Sequence, residues 1–533
     1  MVSQTSSTYL RLPEKEDVDA LDYSIKLADW YSKSKSQKLR KSKGQFFTPK
    51  EVSIFMANLI TVRHNDIRLL DPGAGVGTLS AAFCSRVSNL PKITLTLDAY
   101  ENDPNLVSLL RKVLEACRSE LESKGHEFRY RIYENDFILH NKQYFGEENN
   151  SSDSERPFYN FILANPPYYK LNRESPQANI MRRFISGHPN MYALFMALSA
   201  KMLVPNGEMV FITPRSLCSG LYYRKFREWF LKTVSIDHIH IFESRRDVFE
   251  KDGVLQENII IKAKKSEGTK NITISTSKTK SFHDLRSIEA SSSDVIFHKN
   301  GDIFIRIPSS EHEVKILRLV DSWPNTLKNL GLEISTGPVV VFRTKKNLRS
   351  KFNEREKEAP LLWMHNFQNM KITWPLTKNK KPSAMGINES TKSLLLPVKN
   401  YVLVKRFSSK EQKRRLYAAV LLKKDFHFDL VGIENHVNYI HKINGELTTL
   451  EALGIASLLN TSLIDRYFRL LNGNTQVNAT DVRSLPLPDL HMIEDIGKRI
   501  SVQVTDQAVL DEMASEILGL NGIFENIKAG VMP

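Results

Sequence analysis

The sequence predicts an α/β fold with a largely parallel main sheet, followed by a separate α+β domain. Three observations predict it. Between about residues 41 and 265, short apolar runs alternate with helix-like amphipathic runs. The Gly-, Asp- and Asn-containing motifs of that stretch fall at the carboxyl ends of the apolar runs, where ligands of such sheets bind. After about residue 331 the alternation gives way to mixed character dense in lysine and arginine.

In order, the strand candidates are IRLLDPG, LTLDAYEND, FRYRIYEND, FYNFILANPP, GEMVFITP, SIDHIHIF and NIIIKAK. Helical runs such as LVSLLRKVLEACRSELESK and MYALFMALSAKMLV lie between several of them. Residues 1–40 are polar and read as a helical lead-in through DALDYSIKLADWYSKS. The Ser/Thr/Lys-rich break at KKSEGTKNITISTSKTKS opens a connector over 266–330, with a few strands and the helix SSEHEVKILRLVDSW. A mixed domain covers 331–490, and a helical tail covers 491–533.

A chain of 533 residues accommodates roughly two to four domains with real cores. Its composition, 41% hydrophobic and 25% charged, is that of a globular protein. No apolar run is long enough to predict a membrane helix, and the amino terminus lacks the shape of a signal peptide. Three cysteines, Cys84, Cys117 and Cys218, form no CxxC pair. We therefore expect no metal site and no disulfide framework, and a reducing cytoplasm. The net charge of +15 is uneven: residues 341–420 hold 19 Lys+Arg against 5 Asp+Glu. A local surplus of that size suggests a polyanionic partner, nucleic acid first. The alternative for any one cation is a solvated face.

Two sites follow from the motifs. LLDPGAGVGTLSAAF places Asp71, Gly73, Gly75 and Gly77 after a strand and before a helix, a turn that lets a ligand approach the backbone. Such a turn occurs in several cofactor folds and is weak alone. Glu101 ends the next strand, where a carboxylate can accept both ribose hydroxyls. Asp136 and Phe137 end the following one, suited to an adenine amino group and ring face. Each acid alone is better explained as a helix N-cap or turn carboxylate. Together, at successive strand ends, they predict an adenosine-containing cofactor. The second site is NPPY: Pro-Pro stops the strand FYNFILA and holds two acceptors, the Asn165 side-chain carbonyl and the Pro166 backbone carbonyl. Two fixed acceptors can draw the hydrogens of a conjugated amino group and free its lone pair. Tyr168 offers a stacking surface, and a base in duplex DNA must rotate out to reach it. Phe249 is the candidate for the opposing ring.

These motifs, in this order, resemble the S-adenosylmethionine-dependent adenine-N6 DNA methyltransferases of the gamma class, of TaqI and BsuBI/PstI type. GQFFTPKEVSIFMANL resembles the cofactor segment that precedes the Gly-rich turn, with Thr48 and Pro49 in the matching places. DPGAGVG, AYENDP, NDF and NPPY follow in the family's order, the first with Asp71 where many relatives carry Glu. NMYALF resembles the segment whose Phe, here Phe195, borders the cofactor, and DVFEKDG resembles the segment carrying the second stacking aromatic. STGPVVVFRTKKNLR and NGNTQVNATDVRSLPLP resemble the two ends of a target-recognition domain.

The resemblance covers about 44–490. It implies a seven-stranded sheet with one antiparallel strand, S-adenosyl-L-methionine as cofactor, and direct methyl transfer to adenine N6 in double-stranded DNA. It assigns catalysis to Asn165, Pro166, Tyr168 and Phe249. Cofactor binding falls to Thr48, Asp71, Gly73, Gly75, Glu101, Asp136, Phe137, Asn165, Pro167 and Phe195. DNA contacts are expected from Arg343, Lys345, Lys346, Arg349, Lys405 and Arg406. We expect a monomer, with a cognate restriction endonuclease acting on the same site as a possible partner. The alternatives are an RNA, cytosine-N4 or protein-glutamine methyltransferase. A fused nuclease is a further one, because Asp302 and Glu313-Val314-Lys315 have D…ExK spacing. Against the nuclease, SSEHEVKILRLV reads as a capped helix where that motif needs a strand.

Overall fold

In the computed structural model the chain forms two compact units, Met1–Ser309 and Ser310–Pro533. The structure describes residues 12–15, 17–37, 44–145, 157–184, 190–243, 257–299, 301–376, 381–408, 412–471, 476–500 and 506–520.

The first unit is built on a nine-stranded sheet. Its strands are β1 (Asp66–Pro72), β2 (Thr94–Tyr100), β3 (Glu127–Tyr133), β4 (Tyr159–Ala164), β5 (Leu203–Pro214), β6 (Ser235–Phe242), β7 (Asn258–Lys264), β8 (Asn271–Ser277) and β9 (Arg286–Ser291). Their order is β3-β2-β1-β4-β5-β7-β6-β8-β9. β1 to β5 run parallel, with Leu69 opposite Leu97 on one side and Phe161 on the other, and the β4–β5 pairing shifts register between Tyr159 and Phe161. β7 is antiparallel to both β5 and β6, and β9 is antiparallel to β8. The sheet thus holds the seven strands expected, with β7 reversed, and two more. β8 pairs parallel to β6 along Thr273–Ser277, so residues 266–330 are no connector. Ile272 and Ile274 are buried while Thr273 is not, and Ser275, Thr276 and Ser277 beyond them are buried as well. β10 (Ile296–Lys299) and β11 (Asp302–Ile305) close this unit as a hairpin.

Helices cover the sheet, and the first of them is more than a lead-in. α1 (Ala20–Ser34) starts at Asp19, whose side chain accepts from the Asp22 amide, and buries Leu21, Tyr23, Leu27 and Tyr31. Burial of that kind stabilises by about 1.5–3 kcal/mol per large side chain, so α1 is part of the core. α2 (Lys50–Leu59) and α3 (Thr78–Val87) follow. α4 (Pro104–Ser123) is capped by Asp103 and turns a stripe of Leu106, Leu110, Val113, Cys117 and Leu121 inward. Gly77, at φ +86°, is required twice: by the left-handed turn into α3, and because a Cβ there would lie 2.7 Å from Leu110 Cδ1. α5 (Met191–Met202) is buried almost all round, which explains its lack of a polar face. α6 (Arg224–Thr233) carries the fully buried Arg227, which donates to Leu217 O (3.1 Å), Gly220 O (2.8 Å) and Asp302 Oδ1 (3.0 Å).

The second unit contains a six-stranded and a five-stranded sheet among its described residues. It opens with α7 (Glu311–Asp321), capped by Ser310, and includes α8 (Thr449–Leu459), α9 (Ser462–Leu471), α10 (Leu490–Arg499) and α11 (Gln507–Ile517). Ile493, Ile496, Leu510 and Ala514 lie in one core with Ile455, Phe468 and Val402. Residues 491–500 and 506–520, within the tail expected over 491–533, therefore belong to the core of this unit, and its start lies at 310 where 331 was expected.

Candidate active site

The carboxyl ends of β1, β2 and β4, with the residues that follow β3, surround a cavity of about 550 Å3. Its lining includes nine of the expected positions: Thr48, Gly73, Gly75, Glu101, Asp136, Phe137, Asn165, Pro167 and Phe195. It also includes Phe46, Phe47, Tyr100, Asp103 and Tyr169, of which the first four lie in the quoted motif segments without having been assigned roles and Tyr169 follows NPPY directly.

On the β2 side, Glu101 is buried and both its oxygens are fixed by backbone donors. Gly75 N lies 2.9 Å from Oε2 and Asp103 N 2.8 Å from Oε1. Burial raises its pKa, and the two amides oppose that shift. Each oxygen keeps a lone pair, so the group can still accept from two hydroxyls. Asp103 links this wall to α1: its Oδ2 accepts from Tyr31 Oη (3.2 Å) and Gln45 Nε2 (3.3 Å). On the β3 side, Asp136 caps a one-turn helix through the Leu139 amide (2.9 Å) and accepts from Gln177 Nε2 (2.9 Å). Phe137 packs against Phe195 at 5.0 Å between centroids and edge-on to Tyr100 at 5.1 Å.

Asp71 departs from expectation. It does not line the cavity; it is buried, and Ser80 Oγ donates to it at 2.6 Å. Burial pushes its carboxyl up to about 7, nearby Glu101 adds to the rise, and the Ser80 hydroxyl and amide oppose it. Its place is in the support of the Gly-rich turn, bound to the first turn of α3.

The NPPY turn is held from the amino-terminal side. Asn165 Nδ2 donates to Phe46 O (2.7 Å) and Thr48 Oγ1 (3.1 Å), which leaves Oδ1 as the acceptor. Tyr168 Oη lies 2.8 Å from that Oδ1 and 2.9 Å from Ile212 O. Burial holds the Tyr168 phenol well above its usual pKa, so it stays a donor. Pro166 O accepts no hydrogen bond among the described residues. Phe46 stacks on the Tyr168 ring at 6.0 Å and Tyr192 meets it edge-on at 6.1 Å. A Cβ at Gly44 would lie 2.8 Å from Tyr168 N, so only glycine lets the strap approach this closely. The signal for the strap was present in GQFFTP, but its contact with Asn165 spans 119 residues and no local pattern reports it. Phe249 lies outside the described residues.

The model of the Eco57I restriction-modification methylase family matches residues 85–249. The chain is 36% identical over 483 residues to the type II methyltransferase M.PstI of Providencia stuartii, covering 90% of this chain and 94% of that one. It is equally similar to M.BsuBI of Bacillus subtilis, over 89% and 94%. The chain belongs to the type II methyltransferases of restriction-modification systems. The methyl donor of this family is S-adenosyl-L-methionine and its substrate is DNA. A solved structure of the type IIL restriction-modification enzyme MmeI in complex with DNA shares the fold, with a TM-score of 0.52 at 12% identity over 86% of this chain and 72% of that one.

In the second unit of this methyltransferase the six cations singled out divide in two. Arg343, Lys345 and Lys346 are exposed and form no ion pair among the described residues. Arg349 lies 3.4 Å from the buried Glu358 and donates to Lys346 O, and Arg406 donates to Asn435 O at 3.1 Å. The Lys405 ammonium sits 4.8 Å from the Tyr417 ring centroid, and burial lowers its pKa. Asp302 is paired with Arg227, and Glu313, on the methyltransferase's capped helix α7, lies 3.6 Å from Arg466. No group that could hold a metal ion occurs among the described residues, and none of their helices is long and apolar enough to cross a membrane.

Proposed function

We propose that the chain methylates the N6 amino group of adenine in double-stranded DNA, on a base rotated out of the helix. The observation that carries this reading is the tethered Asn165 amide. With Nδ2 committed to Phe46 O and Thr48 Oγ1, the side chain cannot turn a donor toward a substrate amino group. Asn165 Oδ1 and the unengaged Pro166 O are two acceptors for the two hydrogens of one amino group. Accepting both draws the nitrogen out of conjugation with its ring, and fixed dipoles act on the charge that then develops. Transfer is a direct displacement with no covalent enzyme intermediate.

The cavity fits S-adenosyl-L-methionine. A Cβ on Gly73 would lie 3.3 Å from Phe195, and one on Gly75 3.4 Å from Phe47, so the glycines keep open a slot that other residues would fill. Glu101 would take the ribose hydroxyls, Phe137 would pack on the adenine ring with Phe195 bordering the cofactor, and Asp136 would take the adenine amino group. The bound donor supplies an electrophilic sulfonium methyl. Phe249 would complete a ring pair with Tyr168, and Arg343, Lys345 and Lys346 would neutralise phosphates. In the cell the enzyme would act as a monomer in the bacterial cytoplasm, protecting sites that a cognate restriction endonuclease cuts.

Modification-sensitive sequencing of DNA from a methylation-deficient bacterial host tests the reading. We expect methyladenine at one short motif with the unaltered chain and none with Asn165→Ala. Methylcytosine at that motif would replace adenine N6 by cytosine N4.

A further inference from the structure

Phe342 is 70% exposed, the most exposed large apolar side chain among the described residues. Exposure alone means little, since single apolar residues are common on surfaces. Two further observations give it meaning. The first is a rigid mount. The segment before it is tied down by Gly337 N to Val437 O (2.8 Å), Val339 N to Ile433 O (3.1 Å) and Asn435 N to Val339 O (3.0 Å). A Cβ on Gly337 would lie 2.4 Å from Glu434 O, so this backbone is pressed onto its neighbour. The turn after Phe342 is fixed by the buried Thr344, whose Oγ1 donates to Val340 O at 3.2 Å. Beyond it, Leu348 and Arg349 pair with Met385 and Ala384. The ring is therefore presented by a turn that is secured on both sides.

The second observation is charge. The Arg343 guanidinium lies 5.4 Å from the Phe342 ring centroid, and Lys345 and Lys346 are exposed on the same turn. None of the three has an anionic partner among the described residues. An exposed aromatic ring beside a guanidinium, with two more exposed cations three and four residues on, matches one chemistry: stacked aromatic bases between phosphates.

We propose that Phe342 is a wedge that enters a base step of the bound DNA duplex, while Arg343, Lys345 and Lys346 hold the flanking phosphates. The inference rests on the DNA-methyltransferase reading above and adds a contact to the stack that the cations alone do not make. A wedge unstacks the step it enters, which helps a sequence-reading domain bend its site.

The test uses the full chain and sheared genomic DNA from a methylation-deficient bacterium. Phe342→Ala should raise the KM for DNA about tenfold, the range that loss of base–aromatic stacking produces. Its KM for S-adenosyl-L-methionine, its melting temperature and the salt dependence of DNA binding should not move. Lys345→Gln should flatten that salt dependence. Phe342→Trp should keep the KM for DNA, and its emission, after subtraction of the unaltered chain's, should be quenched by duplex. An unchanged KM in Phe342→Ala overturns the wedge. So does Phe342→Trp emission that duplex leaves untouched, or that only RNA or a protein partner quenches. Quenching by duplex without methyladenine in the product would remove the adenine reading and leave the wedge standing.

Discussion

The cavity wall and the basic block handle their polar groups in opposite ways. Around the cavity the groups that matter are fixed by the chain itself: both Glu101 oxygens by backbone amides, and the Asn165 nitrogen by a carbonyl and a hydroxyl. In the basic block only some of the cations are held in this way. Arg349 is turned toward Glu358 and Arg406 toward Asn435, whereas Arg343, Lys345 and Lys346 are left to solvent. The contrast follows from what each site must do. Chemistry needs dipoles that do not reorganise. Phosphate contact needs charge that can follow a backbone, and any one cation is replaceable.

The largest test of this contrast is Asn165→Ala. It should lower kcat by about 10²–10³-fold or more, while equilibrium dialysis still detects S-adenosyl-L-methionine binding. Thr48→Val should come next. It removes one of the two acceptors of the Asn165 nitrogen, and kcat should fall about tenfold, the value of one charge-free hydrogen bond in a site. Thr48→Ser should restore it. A fall in cofactor affinity with unchanged kcat would assign Thr48 to the cofactor alone. In the basic block the two classes of cation should separate. Lys345→Gln should weaken DNA binding severalfold and reduce the salt slope by about 1, with an unchanged melting temperature. Arg349→Gln leaves Glu358 without its cation and should lower the melting temperature by a few degrees. If both variants behave alike, the division drawn here fails.

The smallest effect at neutral pH lies on β6, third from the β9 edge of the sheet. His238 and His240 share Ser275, at 2.6 and 2.8 Å. Burial first, then Lys262 beside His238 and His238 beside His240, lowers their pKa values to about 4 and about 3; Asp284 opposes the shift at His240. Each is thus neutral in the folded chain at a pH where the unfolded chain is protonated. Their contribution is complete above about pH 6.5 and is lost as pH falls, toward about 4 for His238 and about 3 for His240. Urea unfolding should show the decline between those values, and His240→Asn should reduce it.

How far these features could be read from sequence depended on what fixed them. The seven strands, the Gly-rich turn, Glu101, Asp136 and NPPY were legible because glycine, proline and a strand end constrain the backbone locally. β8 was less so: NITISTS alternates correctly, but its Ser and Thr content resembles a linker, and only pairing with β6 and β9 makes it a strand. Asp71 shows the limit of motif reading. Its position in the turn suggested the cavity, while its side chain points to Ser80. The amino-terminal strap was visible as a segment and silent about its target. Arg349 and Lys345 look alike in sequence, and only the placement of Glu358 separates them.

The strap from Gly44 to Thr48 has a practical consequence for anyone reshaping this enzyme. These five residues wall the donor slot, and two of them hold the amide through the Phe46 carbonyl and the Thr48 hydroxyl, so enlarging the slot for a bulkier alkyl donor by trimming Phe46 or Phe47 disturbs the segment that fixes Asn165. The opposite wall, Phe137 and Phe195, carries no such tether and is the side on which to carve.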